Sequence, residues 1–533
     1  MNKLVSFKLI LYILLATFAF YINYYYANKG LYPIDTFTFF DASYYITKGL
    51  HPIKDFWVMS GILVDYIQAV FFYIFGFNWN AYIFHSSFFN LIITLFFFYF
   101  LNIFNKNLFH NFLLSLSVAV LCYPVAGTPF PYQHSFILSL LSLMVFYLAV
   151  YKEEKKYWII LPFLMGFAFL SMQLPSGIIN LLILIFSSLY FITVSVKNIK
   201  YFFIGFILFL IILFIYFFLT KVSLQDFLIQ IIFFPLEIGQ GRIHSTEGAF
   251  ESAKLINKLT IRGTVGHFKF INIFLLANLI LLVIYIRRKK FIKFEKKILI
   301  NILIFFSACG FMFHQLITAN QTFIFALVPI LCGFFIIQIN EFLNINVKEN
   351  IKLISILLIV FVTVKYHFVF NEQRKFMDLQ NVDLSSAVEA KYLDKKFNGL
   401  KWITPGHYSK NPNEELELLG QSLNIIKNDA DAKMLITHYQ FFSIILDDNL
   451  NIPNRWYFPN QTFPASKDIK YYKEYLKKFN QKLDENKINT IYIAETFPGE
   501  FDFINFDDLL ENKCFLKEDY NKILYSIKIK KCN

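Results

Sequence analysis

Four carboxylates, Asp35, Asp41, Asp55 and Asp65, stand in one aromatic-rich stretch near the N-terminus, PIDTFTFFDASYYITKGLHPIKDFWVMSGILVDYIQAVFFYIFG at residues 33 to 76. A carboxylate held at a membrane face and partly withdrawn from water can take a proton from a hydroxyl, so acid–base chemistry is sought here first. His51, Lys54 and Trp57 accompany the acids. The run Ile62 to Phe75 is apolar, short and interrupted by Asp65 and Gln68, and reads as an amphipathic helix lying in the membrane interface with its aromatics toward lipid.

The remaining chain must position that loop. Among its 533 residues 57% are hydrophobic, with 69 Phe and 32 Tyr, and the mean hydropathy is +0.50. Such a composition excludes a soluble globule and predicts a polytopic membrane protein. Apolar runs long enough for a hydrocarbon core of about 30 Å are expected near 7–27, 80–104, 110–126, 133–151, 157–173, 175–196, 201–220, 270–287, 297–314, 321–340 and 351–370. That makes about eleven transmembrane helices, the first retained rather than cleaved.

Basic residues test this layout independently. Lys106, the KEEKK run at 152–156, Lys197 and Lys200, the RRKKFIKFEKK run at 287–297, and Lys348 and Lys352 all fall in alternate connections, which the positive-inside rule assigns to the cytoplasm. The N-terminus is then cytoplasmic. Residues 28–79, PVAGTPFPYQ at 124–133, the long connection 221–269, TANQ at 318–321 and everything beyond Phe370 face outward. The Asn, Lys, Ile and Phe bias fits an AT-rich bacterial genome, hence a cell (inner) membrane with a periplasmic or external outer face. The net charge of +13 reports this topology, because residues 371–533 carry about 23 Lys and Arg against about 24 Asp and Glu. No nucleic-acid partner is expected.

Beyond Asn371 the chain becomes charged and punctuated by Pro and Gly. Short apolar runs at 400–404, 433–438 and 489–495 alternate with helical patterns at 413–428 and 467–486, predicting a small external α/β domain at 371–533. It is expected to dock over the outer face as a separate module. No GxGxxG, GxxxxGK[ST], CxxC or HExxH occurs, so neither a cofactor nor a metal site is legible. Cys514 and Cys532 pair if the tail lies in an oxidising compartment.

The pattern of Asp35 or Asp41, Gly49, His51-Pro52, Asp55-Phe56-Trp57, Gly61, Tyr66, Ala69 and Phe75-Gly76 resembles the first external loop of GT-C superfamily glycosyltransferases, which include protein mannosyltransferases and the lipid A aminoarabinose transferase. FLSMQLPSG at 169–177 is a weaker echo. The resemblance implies a GT-C-like transmembrane domain over 1–370 and a sugar donor linked to polyprenyl phosphate. It also implies an active site on the outer face and an inverting displacement helped by an Asp early in the loop. The family's Asp stands about fourteen residues before the glycine matched by Gly49, which selects Asp35, with Asp41 as rival. The donor phosphate would be held by Arg242, His244, Arg262, His51 or Lys54, with Asp55, Trp57 and Gln173 as further substrate contacts. The acceptor would be a glycan, lipid or protein. A flippase or transporter of a lipid-linked saccharide, or a polymerase or ligase using the same donors, are the alternatives.

Each residue also has a plain structural reading. Asp35 and Asp41 can cap helices, Asp55 can brace the loop by accepting backbone hydrogen bonds, Arg242 can bind headgroups, and Gln173 can bond a neighbouring helix. The topology itself is testable: a reporter fused after Phe370 is expected outside and one fused within 288–296 inside, and finding both on one side would sink the eleven-span layout.

Overall fold

The computed structural model describes residues 3–122, 127–244, 255, 259–289, 295–318, 324–342, 345–511, 513–530 and 532. The centre of the 221–269 connection, most of TANQ and part of the RRKKFIKFEKK run lie outside them, as does the side chain of His244.

Among the described residues eight helices are long and apolar enough to cross a membrane: Ser6–Ala27, Trp79–Phe104, Pro131–Lys152, Gln173–Thr193, Val196–Thr220, Lys269–Arg288, Lys296–Ile317 and Glu349–Met377. Three of the eleven expected spans are shorter. Leu108–Leu121 has 14 residues, Lys155–Ser171 has 17 and Leu327–Phe342 has 16. At about 1.5 Å per residue the first covers only about 21 Å, less than a hydrocarbon core. Pro131–Lys152 is enclosed on nearly all sides, whereas Ile199–Thr220 turns Phe203, Ile207, Phe214 and Phe218 outward.

A helix forms over Ile62–Phe75, where the amphipathic segment was expected. Its buried face carries Asp65, Gln68, Ala69 and Phe72 at helical spacing, while Val70, Tyr73 and Ile74 are exposed. Gly61 starts it at φ +79, where a Cβ would meet the Phe39 ring at 3.0 Å. Gln68 meets His85 Nδ1 at 3.0 Å, and His85 Nε2 meets His134 Nε2 at 2.9 Å. This polar chain ties the helix to two long apolar helices, Trp79–Phe104 and Pro131–Lys152.

The C-terminal region forms a four-stranded sheet in the order Lys433–Thr437, Thr490–Ala494, Leu524–Lys530, Cys514–Asp519. The first pair is parallel and the other two are antiparallel. The parallel pair is buried at every position, as its unbroken apolar runs require. Helix Tyr472–Glu485 lies in the connection between them and buries Tyr472, Tyr475, Leu476, Phe479 and Leu483 along one face. The strand expected at 400–404 reduces to Lys401–Trp402, and the hairpin of the last two strands, closed by the Cys514–Cys532 disulfide, was not legible in the sequence pattern.

Loop and tail are interlocked. Gly30 N and Leu31 N donate to Lys401 O and Ile403 O (both 3.0 Å), so the start of the loop runs as an added strand beside the tail. One aromatic cluster joins both parts: Phe37 stacks on Trp402 at 6.0 Å and meets Phe441 edge-on at 4.9 Å. Trp57 N donates to Pro453 O (2.8 Å), and Arg455 N returns to Trp57 O (3.2 Å). At the centre the Arg455 guanidinium meets Asp65 at 2.5 Å, donates also to Ser60 O and lies 4.5 Å over the Phe39 ring. Both charged side chains are enclosed, at 2% and 0% exposure. Loop and tail thus share one hydrophobic core.

A buried charge that loses its counter-ion costs about 3–5 kcal/mol. Arg455→Met is therefore expected to lower the thermal midpoint of the detergent-solubilised protein, followed by tryptophan fluorescence, and Asp65→Leu added to it to recover most of the loss. An unchanged midpoint in Arg455→Met would mean that this pair does not hold loop and tail together.

Candidate active site

The tertiary structure separates the four loop carboxylates by what they touch. Asp65 is paired with Arg455. Asp41, fully buried at the start of helix Phe40–Thr47, accepts from Ser443 N at 3.1 Å and Ile444 N at 3.0 Å, the free donors at the start of tail helix Phe442–Leu446. Burial pushes its pKa up to about 7, and the backbone donors offset part of that rise. Asp55 accepts from His51 N at 2.6 Å and so braces its own turn. Asp35 alone of the four has no side-chain partner among the described residues.

Asp35 sits on the short turn of helix Pro33–Thr36, started by the proline at its first position. The side chain is half-buried: protein surrounds it densely, yet solvent reaches it. Desolvation first, and then the charge of Asp378, raises its pKa to about 7. A carboxylate so placed is basic enough to take a proton near neutrality, and among the described residues no side chain hydrogen-bonds to it.

The remaining sequence-derived candidates are dispersed. His51 has its Nδ1 3.0 Å from Tyr66 Oη, and burial lowers its pKa. Lys54 is exposed on the wall of a polar crevice of about 310 Å³ shared with Asp226, Lys478 and Lys482. The Trp57 ring is 3% exposed and packed edge-on between Phe234 (5.6 Å) and Tyr475 (5.5 Å), so it offers no stacking face to a sugar. Gln173 donates to Met59 O (2.9 Å) and Ile231 O (2.8 Å), stitching the loop to the helical run after Val222. Arg242, on helix Phe234–His244, donates to Gln461 Oε1 of the tail at 2.8 Å, and its charge is felt by His314 at the end of helix Lys296–Ile317. Burial brings the Arg242 pKa down to about 10. Arg262 is exposed on the turn Arg262–Gly266. Among the described residues no three His, Cys, Asp or Glu side chains gather as metal ligands.

Several contributors had no sequence signal as site residues. Gln230, inside the apolar run LIQIIF, accepts from Val58 N (2.9 Å) and donates to Ile53 O (3.0 Å). Lys478 donates to the same carbonyl at 3.1 Å. Both hold Ile53 at φ +75, a conformation that β-branched residues avoid and that persists only where its surroundings over-determine it. Lys482, half-buried on the crevice wall and lowered to about 8 by desolvation, donates to Asp55 O and to Ile452 O (2.8 Å). Arg455 had one faint cue, a lone cation in the aromatic and Asn/Pro-rich run NIPNRWYFPN. Asp378 acts electrostatically on Asp35, and Asp378 and Glu500 on Tyr32 three residues before it, and both do so only through the fold.

A scan against protein-family models finds no match to this chain, and a search of curated proteins finds no similar sequence.

Proposed function

We propose that the protein is a polytopic membrane glycosyltransferase of the GT-C type. It moves a sugar from a polyprenyl-phosphate donor to an acceptor hydroxyl on the outer face, with inversion and with Asp35 as general base. The observation that carries this reading is the division of labour among the four loop acids. Asp41, Asp55 and Asp65 are each taken up by a structural contact, and the one left accessible is the one the GT-C-like register selects.

In the reaction the acceptor oxygen attacks the anomeric carbon as the bond from that carbon to the phosphate oxygen breaks. The phosphate leaves with the electron pair, and the acceptor proton passes to Asp35. Charge accumulates on the leaving phosphate, which a guanidinium stabilises best through paired N–H donors. Arg242 supplies that group in this reading, aimed by Gln461. The eight crossing-length helices provide the apolar surroundings a polyprenyl chain requires.

Purified protein incubated with a panel of polyprenyl-phosphate sugars is expected to release polyprenyl phosphate and form a glycosylated product. Passage of intact lipid-linked saccharide across the membrane without cleavage would instead identify a transporter. Asp35→Asn keeps the shape but loses basicity, and transfer is expected to fall at least about a hundredfold with donor binding nearly unchanged. Because the protonated acid cannot accept a proton, activity in the parent should rise with pH through about 7 and be lost below it, and this limb should vanish in Asp35→Asn. Asp41→Asn removes charge from a docked helix start and should cost about 1–3 kcal/mol of stability with a smaller loss of transfer. An active Asp35→Asn beside a folded but dead Asp41→Asn would reverse the assignment.

A further inference from the structure

The face that carries Asp35 is built from three distant parts of the chain. Tyr32 stands three residues before Asp35, and its phenol is pushed up by burial and then by the charges of Asp35, Asp378 and Glu500. Asp378 belongs to the segment that follows the last long helix, and Glu500 to the turn after strand Thr490–Ala494. The charge of Glu500 thus reaches Tyr32, and the tail segment after His438 packs on the same loop, with Asp41 N donating to Gln440 O (3.0 Å) and Phe37 meeting Phe441 at 4.9 Å.

Glu500 is held with care. Its turn is wound around two acids: Glu495 accepts from Gly499 N (3.0 Å) and Phe501 N (3.4 Å), while Glu500 accepts from Thr496 N (2.6 Å) and Thr496 Oγ1 (2.8 Å). Gly499 permits the winding at φ +78. Facing Glu500 is His438, one residue beyond strand Lys433–Thr437. These are the carboxyl ends of the two parallel strands, tied together by Thr437 Oγ1 donating to Ala494 O at 2.7 Å. Crevices outside the carboxyl ends of parallel strands are where α/β sheets bind ligands.

The geometry between the two side chains is that of a pair waiting for a third group. His438 Nε2 lies 3.7 Å from Glu500 Oε1, too far for a direct hydrogen bond, and both side chains are 4% exposed. His438 makes no side-chain hydrogen bond among the described residues. Its ring is fixed by near-parallel packing on Phe501 (5.4 Å) and edge-on packing with Tyr457 (6.0 Å). Burial lowers the His438 pKa to about 3, keeping the imidazole neutral, with one N–H to give. An imidazole N–H and a carboxylate oxygen at this separation offer one donor and one acceptor, the complement of a single hydroxyl, which accepts from one and donates to the other.

We propose that His438 and Glu500 form a hydroxyl-binding subsite for a polyhydroxylated acceptor, presented by the tail to the carboxylate of Asp35. This rests on the transferase reading above. The subsite orients the acceptor, while the proton transfer remains with Asp35.

The test uses the full chain in lipid nanodiscs, with the polyprenyl-phosphate sugar that supports turnover and methyl glycosides as acceptor probes. Glu500→Gln is expected to raise the acceptor KM about tenfold, the loss of one hydrogen bond to a carboxylate, and His438→Asn about fivefold, the loss of one bond from a neutral imidazole, with kcat changed far less. The double variant should be no worse than the worse single variant, because both groups hold one hydroxyl. Asp35→Asn should show the opposite split, with kcat lost at a nearly unchanged KM. Thermal midpoints equal to the parent's separate this effect from misfolding, and a variant with a depressed midpoint is replaced by Glu500→Asp, which keeps the charge and withdraws it. An unchanged acceptor KM in well-folded Glu500→Gln and His438→Asn would overturn the subsite while leaving the transferase reading intact. Donor turnover without transfer to any glycoside would overturn the acceptor class alone. A parent protein that turns over no donor would overturn the transferase reading and this inference together.

Discussion

The enclosed pair Asp65–Arg455 is the contact on which the union of the 28–79 loop with the tail depends. Transfer of either ion from water into this apolar layer is costly on its own, and the cost is met only when both arrive together with Ser60 O and the Phe39 ring in place. That condition fixes the register between helix Ile62–Phe75 and the tail. Once it is met, Trp57 can exchange backbone hydrogen bonds with 453 and 455, Asp41 can reach the start of helix Phe442–Leu446, and Lys478 and Lys482 can close on the carbonyls of Ile53 and Asp55. A pair of this kind adds little net stability over an apolar replacement, but it forbids other arrangements because any misregister leaves a bare charge in the core.

The same constraint explains why one acid stays available. A loop carrying four carboxylates so near a membrane has to satisfy or solvate each of them. Three have internal partners: a guanidinium on one oxygen of Asp65, a pair of helix-start N–H groups on Asp41 and the loop's own backbone on Asp55. Asp35 is left half-solvated in dense surroundings beside the like charge of Asp378, and that combination moves a carboxylic acid toward neutrality. The environment that makes Asp35 suited to proton transfer is a by-product of how the other three are used.

The tail has a double position in this architecture. Its outer hairpin, with the Cys514–Cys532 bridge, lies on the antiparallel side of the sheet, whereas its parallel strands deliver His438 and Glu500. Its aromatic and ionic contacts with residues 28–79 make the fold of the loop conditional on residues translated several hundred positions later. The loop of residues 28–79 and the C-terminal sheet region form one structural unit around a face that neither could build alone.

The membrane character, the positions of the long helices, the short amphipathic helix and the strand runs at 433–438 and 489–495 were legible because they depend on local hydrophobic length and period, which a sequence displays directly. The same local signal drew the runs at 110–126 and 321–340 longer than the described helices Leu108–Leu121 and Leu327–Phe342, since an apolar run carries no mark of where helical geometry stops. Asp55 as a brace and Asp65 as an interruption of an apolar face were also visible locally. The tertiary structure alone decided which acid is structural and which is free, because the deciding partners lie 402 residues from Asp41 and 390 from Asp65. Spacing within a loop says what a carboxylate can do. Whether a distant backbone N–H or guanidinium has already claimed its lone pairs is settled only when the chain has folded around it.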